Sequence, residues 1–139
     1  PAFWMLGADI DRVGWPACGE IDIMENIGKE LAMMHGSIHG PGYWGGEGLN
    51  ASYAANLEGW HVFAVDWYPN RIDFYVDGVR YATRTPEGLP KGGVWVFEHP
   101  FFLILNNAVG GTWPGPPNAT TKFPQEMRVD YVRVWTSAP

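Results

Sequence analysis

Three acidic residues stand close together near the start of the 139-residue chain: Glu20, Asp22 and Glu25. They alternate with apolar residues, as is typical of a β-strand, in which successive side chains point to opposite faces. Glu20 and Asp22 then share one face, whereas Glu25 would point to the other. One β-bulge near Met24 adds a residue and returns Glu25 to the first face. The pattern therefore predicts three carboxylates in a row on one face of a bulged strand.

Carboxylates grouped in this way repel one another, and the repulsion costs stability. Such a group can bind a cation, since calcium takes several carboxylate oxygens. It can also hydrolyse a glycosidic bond with retention of configuration, which needs two carboxyl groups roughly 5–5.5 Å apart. In that case Glu20 and Glu25 would react, and Asp22 would tune the ionisation of both. A solvated acidic face is the third interpretation, and the triplet alone leaves all three open.

The charge composition excludes several classes of partner. Nine Lys and Arg residues stand against fifteen Asp and Glu residues, and the formal net charge is −6. A nucleic-acid binder or a polybasic membrane protein would carry a basic patch. The longest run of large apolar residues, Phe101–Leu105, is far shorter than a membrane-spanning helix. We therefore predict no nucleic-acid partner and no membrane association. The single cysteine, Cys18, also excludes an internal disulfide framework.

The composition favours a compact all-β domain. Eighteen Gly and twelve Pro residues make the chain a poor helix former, and its 15% of aromatic residues give it an apolar core. Between residues 60 and 83 the sequence predicts a three-stranded antiparallel meander with a tight turn at Asp77–Gly78. Further strands are predicted at Phe101–Leu105, buried on both faces, and at Met127–Trp135.

Loops rich in Gly, Pro and aromatic residues separate these strands, at Gly40–Gly46 and Gly110–Pro117. Ala51–Leu57 could form one short helix at most. An antiparallel β-sandwich with long aromatic loops at its rim fits this order of elements.

The segment Glu20–Glu25 has the form Glu-x-Asp-x-x-Glu, and at this motif the sequence closely resembles glycoside hydrolase family 16, within it the laminarinase-type endo-β-1,3-glucanases. Similar segments run along the whole chain, at residues 1–7, 15–19, 35–43, 60–67, 74–78, 108–115 and 130–135. Met24 is inserted before the last acid. Laminarinases and some agarases and carrageenases have this insertion, whereas lichenases lack it, and the surrounding segments favour a laminarinase.

The resemblance implies an all-β antiparallel sandwich of the jelly-roll, concanavalin A-like type with a concave cleft. It implies a secreted, endo-acting, retaining hydrolase of β-1,3-glucan, with mixed-linkage β-glucan as a further substrate and no cofactor for catalysis. Glu20 would be the nucleophile, Asp22 the assisting acid and Glu25 the acid/base. An agarase- or carrageenase-type member and a non-catalytic β-glucan-binding module are the alternatives.

The resemblance also bears on domain organisation. It implies that residues 1–139 are part of a single catalytic domain whose N-terminal strands are missing from this chain. A segment on another chain is one partner that could supply them.

Several residues outside the triplet are candidates for binding sugar. The apolar face of a sugar ring stacks on an aromatic plane, so Trp4, Trp15 and Trp113 are interpreted as platforms, with core packing as the alternative. By resemblance His39 and Asn106 are residues of the cleft, with a structural role as the alternative. The spacing of His35 and His39 would suit zinc only on a helix, which Gly36-Ser37-Ile38 does not favour.

Asp130 is the one candidate metal ligand outside the acidic triplet. By resemblance it occupies a position where the family often binds a structural calcium, with backbone carbonyls as the other ligands. An ion pair of Asp130 with Arg128 or Arg133, or a bound water, is the alternative.

Overall fold

The computed structural model describes residues 1–136 and is built mainly from antiparallel β-strands. The strands are β1 (Ala2–Gly7), β2 (Glu20–Glu25), β3 (Met33–His39), β4 (Leu49–Ala54), β5 (Phe63–Tyr68), β6 (Arg71–Val76), β7 (Val79–Arg84) and β8 (Phe101–Asn106). One short helix, α1 (Ile10–Val13), and two 3-10 turns, Gly45–Glu47 and Pro86–Gly88, lie in the connections.

The strands form two sheets that pack face to face. The larger has the order β4-β3-β2-β1-β8 and the smaller the order β5-β6-β7. Alternate residues of the larger sheet point inward and meet those of the smaller sheet; the buried cluster contains Met5, Ile21, Ile23, Ile38, Ile72 and Phe74. Full burial of such a side chain contributes about 1.5–3 kcal/mol. The predicted antiparallel β-sandwich is confirmed.

The predicted meander is confirmed as β5, β6 and β7, and it forms the smaller sheet. The turn between β6 and β7 has positive φ at both central residues, 49° at Asp77 and 78° at Gly78. Two positive φ angles define the tight turn that suits the twist of a hairpin, which is why an Asp-Gly pair is found there.

Three sequence predictions about local structure and burial were wrong. The short helix proposed within Ala51–Leu57 is absent, because residues 49–54 form β4 and pair along their whole length with β3. The half-buried side chains of β4 are Leu49, Ala51 and Tyr53, which alternate with exposed ones. This period of two is the strand period, and the small polar residues between them obscured it in the sequence.

The strand predicted at Met127–Trp135 is not formed either. Among the described residues, the edges of the larger sheet are β4 and β8, and this segment pairs with neither. Only Met127 in it is half-buried. Alternation alone does not make a strand when no neighbouring strand accepts its hydrogen bonds.

β8 is confirmed as a strand, but its predicted burial on both faces was wrong. It pairs with β1 and forms an edge of the larger sheet, so Phe102, Leu103 and Leu105 remain 41–42% exposed. Within residues 1–136, no helix is long and apolar enough to cross a membrane.

Candidate active site

The acidic triplet lies on the outer face of the larger sheet, across from the core. Residues paired directly across antiparallel strands point to the same face. Asp22 pairs with Trp4 of β1 and Ser37 of β3, Glu20 pairs with His39, and Glu25 pairs with His35. These pairs form three adjacent rows of polar and aromatic side chains, with the carboxylates of β2 in the middle strand.

The predicted β-bulge is present and places Glu25 in line with the other two acids. Along β1, Trp4 pairs with Asp22 and the adjacent Phe3 pairs with Met24, so Ile23 is the additional residue of β2. The register against β3 shifts between the same two acids. Ile23 and Met24 are both buried in the core, and Glu25 is returned to the outer face.

The three acids and one histidine form a compact, largely buried group. Asp22 is only 3% exposed. One ligating atom from each of Glu20, Asp22 and His39 lies within 4.8 Å of the others. His39 Nε2 lies 3.0 Å from Asp22 Oδ2, and Trp15 Nε1 donates a hydrogen bond to Glu20 Oε2. Glu20 therefore has one neutral donor and one acidic neighbour, whereas Asp22 has acids on both sides.

This environment favours protonated carboxyl groups. Burial raises the pKa of Asp22 to about 8, and the charge of Glu25 adds to the rise. Burial also raises the pKa of Glu20 to about 7, followed by the charge of Asp22, while His39 and the Trp15 hydrogen bond act in the opposite direction. Asp22 has the higher pKa of the two, so between about pH 7 and about pH 8 Asp22 keeps its proton while Glu20 is mostly ionised.

Burial shifts the pKa values of Glu25 and His39 in opposite directions. Burial raises the pKa of Glu25, with His39 opposing the rise and Glu20 adding to it. Burial lowers the pKa of His39, and the charges of Glu20 and Glu25 oppose that change. A carboxyl group whose pKa is raised holds its proton long enough to donate it, so Glu25 is suited to act as a general acid.

Aromatic side chains stand at both ends of the carboxylate row. Trp15 is 43% exposed, packs edge-on against Trp44 at 5.8 Å and lies next to His39, at the end where Glu20 is placed. Trp113 is also 43% exposed and contacts His35 edge-on at 4.9 Å, at the end where Glu25 is placed. Lys29 Nζ donates a hydrogen bond to the backbone oxygen of Trp113 at 2.8 Å.

Trp4 and Asn106 were predicted separately as sugar-binding residues, and the structure brings them together. Trp4 Nε1 donates a hydrogen bond to Asn106 Oδ1 at 2.8 Å, on the same face as Asp22 and Glu25. All five predicted sugar-binding residues, Trp4, Trp15, His39, Asn106 and Trp113, therefore lie around the acidic triplet. Whether they bind sugar stays a prediction.

Sequence analysis missed part of this face. Ser37 donates a hydrogen bond to Asn50 Oδ1 at 2.7 Å, and His35 Nδ1 lies 3.0 Å from Ser52 Oγ. The alternation of His35, Ser37 and His39 was a signal for the β3 residues. No comparable signal was read for Asn50 and Ser52, because no strand was predicted there and Ala51–Leu57 was interpreted as one short helix at most.

Asp130 lies away from the triplet. It lines a groove of about 420 Å³ together with Trp60, Met127 and Met24, and Met24 lies on the core side of β2, opposite the carboxylates. Among the described residues, the only three or more His, Cys, Asp and Glu side chains that converge on one point are Glu20, Asp22 and His39. The side chains around Asp130 thus do not form a calcium cage by themselves, and calcium at this position stays a prediction.

Comparison with known proteins agrees with the geometry of the site. The sequence pattern of Glycosyl hydrolases family 16 matches residues 1–133. The chain belongs to this family. It is similar to the endo-β-1,3-glucanase of Pyrococcus furiosus, with a TM-score of 0.85 and 53% identity over 89% of this chain and 50% of that one. The laminarinase catalytic domain of Thermotoga maritima gives a TM-score of 0.82 and 48% identity over 88% of this chain and 52% of that one.

A third relative has a different substrate in its name. The keratan-sulfate endo-1,4-beta-galactosidase of Sphingobacterium multivorum is 40% identical over 97% of this chain and 32% of its own length. The chain thus spans about half of the two solved structures and about a third of this galactosidase. The predicted family and the jelly-roll sandwich are confirmed.

Proposed function

We propose that this chain carries the catalytic centre of an endo-acting, retaining β-1,3-glucanase. The observation that supports this most directly is the alignment of Glu20, Asp22 and Glu25 on one face through the bulge in β2. The two glutamates are the reacting pair, and Asp22 lies between them. The similar solved structures from Pyrococcus furiosus and Thermotoga maritima are an endo-β-1,3-glucanase and a laminarinase, which supports β-1,3-glucan as the substrate.

In the first step the Glu20 carboxylate attacks the anomeric carbon. A bond forms between a Glu20 oxygen and that carbon, the glycosidic bond breaks, and Glu25 gives its proton to the leaving oxygen. The Trp15 N–H holds Glu20 in place for this attack. A proton on Asp22 keeps the negative charge of the pair on Glu20, where it is needed.

In the second step Glu25 acts as a base. It takes a proton from water, the water oxygen bonds to the anomeric carbon, and the bond to Glu20 breaks. Both steps invert the anomeric carbon, so the product keeps the β configuration. The chemistry uses only carboxyl groups and water, and we expect it to need no cofactor.

The aromatic residues suit a neutral polysaccharide. Trp15 and Trp113 each present a half-exposed indole at an end of the carboxylate row. Sugar rings stack on such surfaces through their apolar faces. Sugar-binding surfaces on both sides of the cleaved bond favour cleavage within the polysaccharide and not at its end. Because a polymer of this kind lies outside cells, we propose that the protein is secreted.

The test is hydrolysis of laminarin followed by proton NMR, in which the first product should be the β-anomer. Glu20→Ala and Glu25→Ala should each abolish hydrolysis without unfolding the protein. Lichenan, agarose and keratan sulfate, assayed in parallel, distinguish mixed-linkage cleavage and the alternative specificities. Binding of laminarin without cleavage by the wild-type protein would instead support the glucan-binding module, and an α-anomeric first product would contradict retention.

We further propose that an additional strand-forming segment, in the same polypeptide or on a partner chain, covers the exposed edge of the larger sheet. Phe102, Leu103 and Leu105 of β8 are exposed there, and Phe3 and Val62 line the adjacent groove. Leu103 and Leu105 share a face with Phe3, and exposed apolar side chains that adjoin one another mark a binding surface. Coexpression with the N-terminal half of the Pyrococcus furiosus endo-β-1,3-glucanase should raise the melting temperature of this chain. An unchanged melting temperature and no copurification would contradict the proposal.

A further inference from the structure

The backbone of Gly48 lies directly against the imidazole of His39. A Cβ atom built on Gly48 would be 2.2 Å from His39 Cε1 and 2.3 Å from His39 Nδ1. Carbon atoms in contact are normally about 3.5–4.0 Å apart. Gly48 has φ −57° and ψ 157°, a conformation open to other residues. Glycine is therefore required at this position by space and not by backbone geometry.

The opposite side of the same imidazole faces the acids. His39 Nε2 lies 3.0 Å from Asp22 Oδ2, and His39 pairs across the strands with Glu20. The residue is only 8% exposed. The ring is therefore enclosed between the Gly48 backbone and the Asp22 carboxyl group, with little room to turn away from either.

Packing, not hydrogen bonding, sets the orientation of this ring. In a functional histidine the second ring nitrogen usually makes a hydrogen bond that fixes the ring. Here Nδ1 is buried and has no hydrogen-bond partner within the described structure. The edge of the ring that carries Nδ1 instead lies against Gly48.

The backbone at Gly48 is itself held firmly. Its N–H donates to the Gly45 carbonyl at 3.1 Å, and its carbonyl accepts from the Asn50 N–H at 2.9 Å. The next residue, Leu49, begins β4 and is paired with Ile38. An added methyl group would therefore displace the imidazole sooner than the backbone.

We propose that Gly48 is a positioning residue of the catalytic centre, whose missing side chain lets the β3–β4 connection press His39 against Asp22. It acts through His39 and touches neither the substrate nor the reacting atoms. The part of this inference that concerns catalysis rests on the proposed glucanase function, whereas the part that concerns the position of His39 does not.

A double-mutant cycle on thermal stability tests the contact. Gly48→Ala in the wild-type background should lower the melting temperature by about 5 °C, because overpacking a buried site is destabilising. In a His39→Ala background the same substitution should cost little, because the clash is gone. Gly46→Ala is the matched control in the same loop, where an added Cβ meets nothing within 4 Å.

Each outcome of the double-mutant cycle tests whether Gly48 sets the position of His39. Equal costs of Gly48→Ala in both backgrounds, or a cost no larger than that of Gly46→Ala, would overturn it. If Gly48→Ala alone does not fold, recovery of the fold in the double variant supports the proposal and failure to recover overturns it.

Enzyme kinetics test whether Gly48 affects catalysis. Gly48→Ala should lower kcat on laminarin about tenfold and leave KM within twofold, with a changed pH profile, whereas Gly46→Ala should match the wild type in all three. Unchanged kcat and pH profile in Gly48→Ala would overturn the positioning role. If the wild-type protein cleaves no laminarin, the proposed function fails, and the stability cycle still decides the contact.

Discussion

Two aspartates of this protein are almost completely buried on opposite sides of the sandwich, and their surroundings differ in kind. Asp22 is 3% exposed on the outer face of the larger sheet, and Asp73 is 1% exposed on the outer face of the smaller one. Asp73 accepts a hydrogen bond from Thr83 at 2.5 Å and lies 3.0 Å from Arg71 Nε and 3.7 Å from an Arg80 nitrogen. Asp22 has Glu20, Glu25 and His39 as its neighbours.

The two sites show two ways in which a folded protein accommodates a buried aspartate. A buried carboxylate is costly unless opposite charges and donors compensate it, and Arg71, Arg80 and Thr83 provide these for Asp73. Asp22 has no guanidinium group, so it holds a proton instead. The first arrangement joins two strands of a sheet. The second keeps a proton available beside two other acids, which is the condition that glycoside hydrolysis needs.

The largest expected effect separates the two aspartates by activity. Asp22→Asn should lower kcat on laminarin by about a hundredfold or more, because the proton that Asp22 shares with Glu20 is lost. Asp73→Asn should change kcat per folded molecule by less than about twofold. Both variants are assayed at the same concentration of folded protein, measured by circular dichroism. Similar losses in the two would remove the functional distinction between the two sites.

The next effect concerns stability and pH. The folded protein holds protons on Asp22 and Glu20 that the unfolded chain releases above about pH 4, so the free energy of unfolding falls as pH rises from about 4 to about 8. Asp22→Asn removes one of these groups and should reduce that decline by about 1.4 kcal/mol for each unit by which folding raises the pKa of Asp22. Urea unfolding at a series of pH values measures the decline. Parallel curves for variant and wild type would show that Asp22 is not held protonated.

A smaller effect is expected from breaking the arrangement around Asp73. Asp73→Asn leaves two guanidinium groups without their shared carboxylate and should cost about 2 kcal/mol of unfolding free energy. Thr83→Val removes only the hydroxyl donor and should cost about 1 kcal/mol. Chemical denaturation at neutral pH gives both values. A cost for Thr83→Val that equals or exceeds that of Asp73→Asn would mean that the arginines contribute nothing.

The smallest effects come from one hydrogen bond on each face. Trp15→Phe removes the donor to Glu20 and should lower kcat/KM about tenfold, with the acid limb of the pH profile moved to higher pH. Tyr75→Phe removes a comparable bond to Asp66 on the outer face of the smaller sheet and should leave kcat/KM within about twofold. An acid limb that does not move in Trp15→Phe would contradict the role assigned to that bond.

The part of the site carried by one strand was predictable from the sequence. Acidic side chains belong on the outer face and apolar ones in the core. The interruption of their alternation at Met24 therefore revealed the bulge directly. The meander was equally clear, because Asp77–Gly78 admits few alternatives to a hairpin turn.

The residues that β4 contributes were not predictable. Asn50 and Ser52 join the site through the register of β3 and β4, which local sequence does not specify when polar residues are small. The same holds for the neighbours of Asp73, because Thr83 meets it only across a strand pair. The segment 127–135 has a strand-like alternation but finds no partner among the described residues, which no local pattern could indicate.

The bulge in β2 gives this strand an unusual tolerance of changes in length. Loss of a residue between Glu20 and Asp22 would turn these two acids to opposite faces. Loss of Met24 would instead leave a regular alternation in which all three acids still share a face. What would disappear is a buried side chain that packs with Met34 and Val76. Deletion of this one residue, or its insertion into a related strand that lacks it, therefore changes core volume and leaves the acids in place, so related genes can differ by this one codon without passing through a form whose acids are separated.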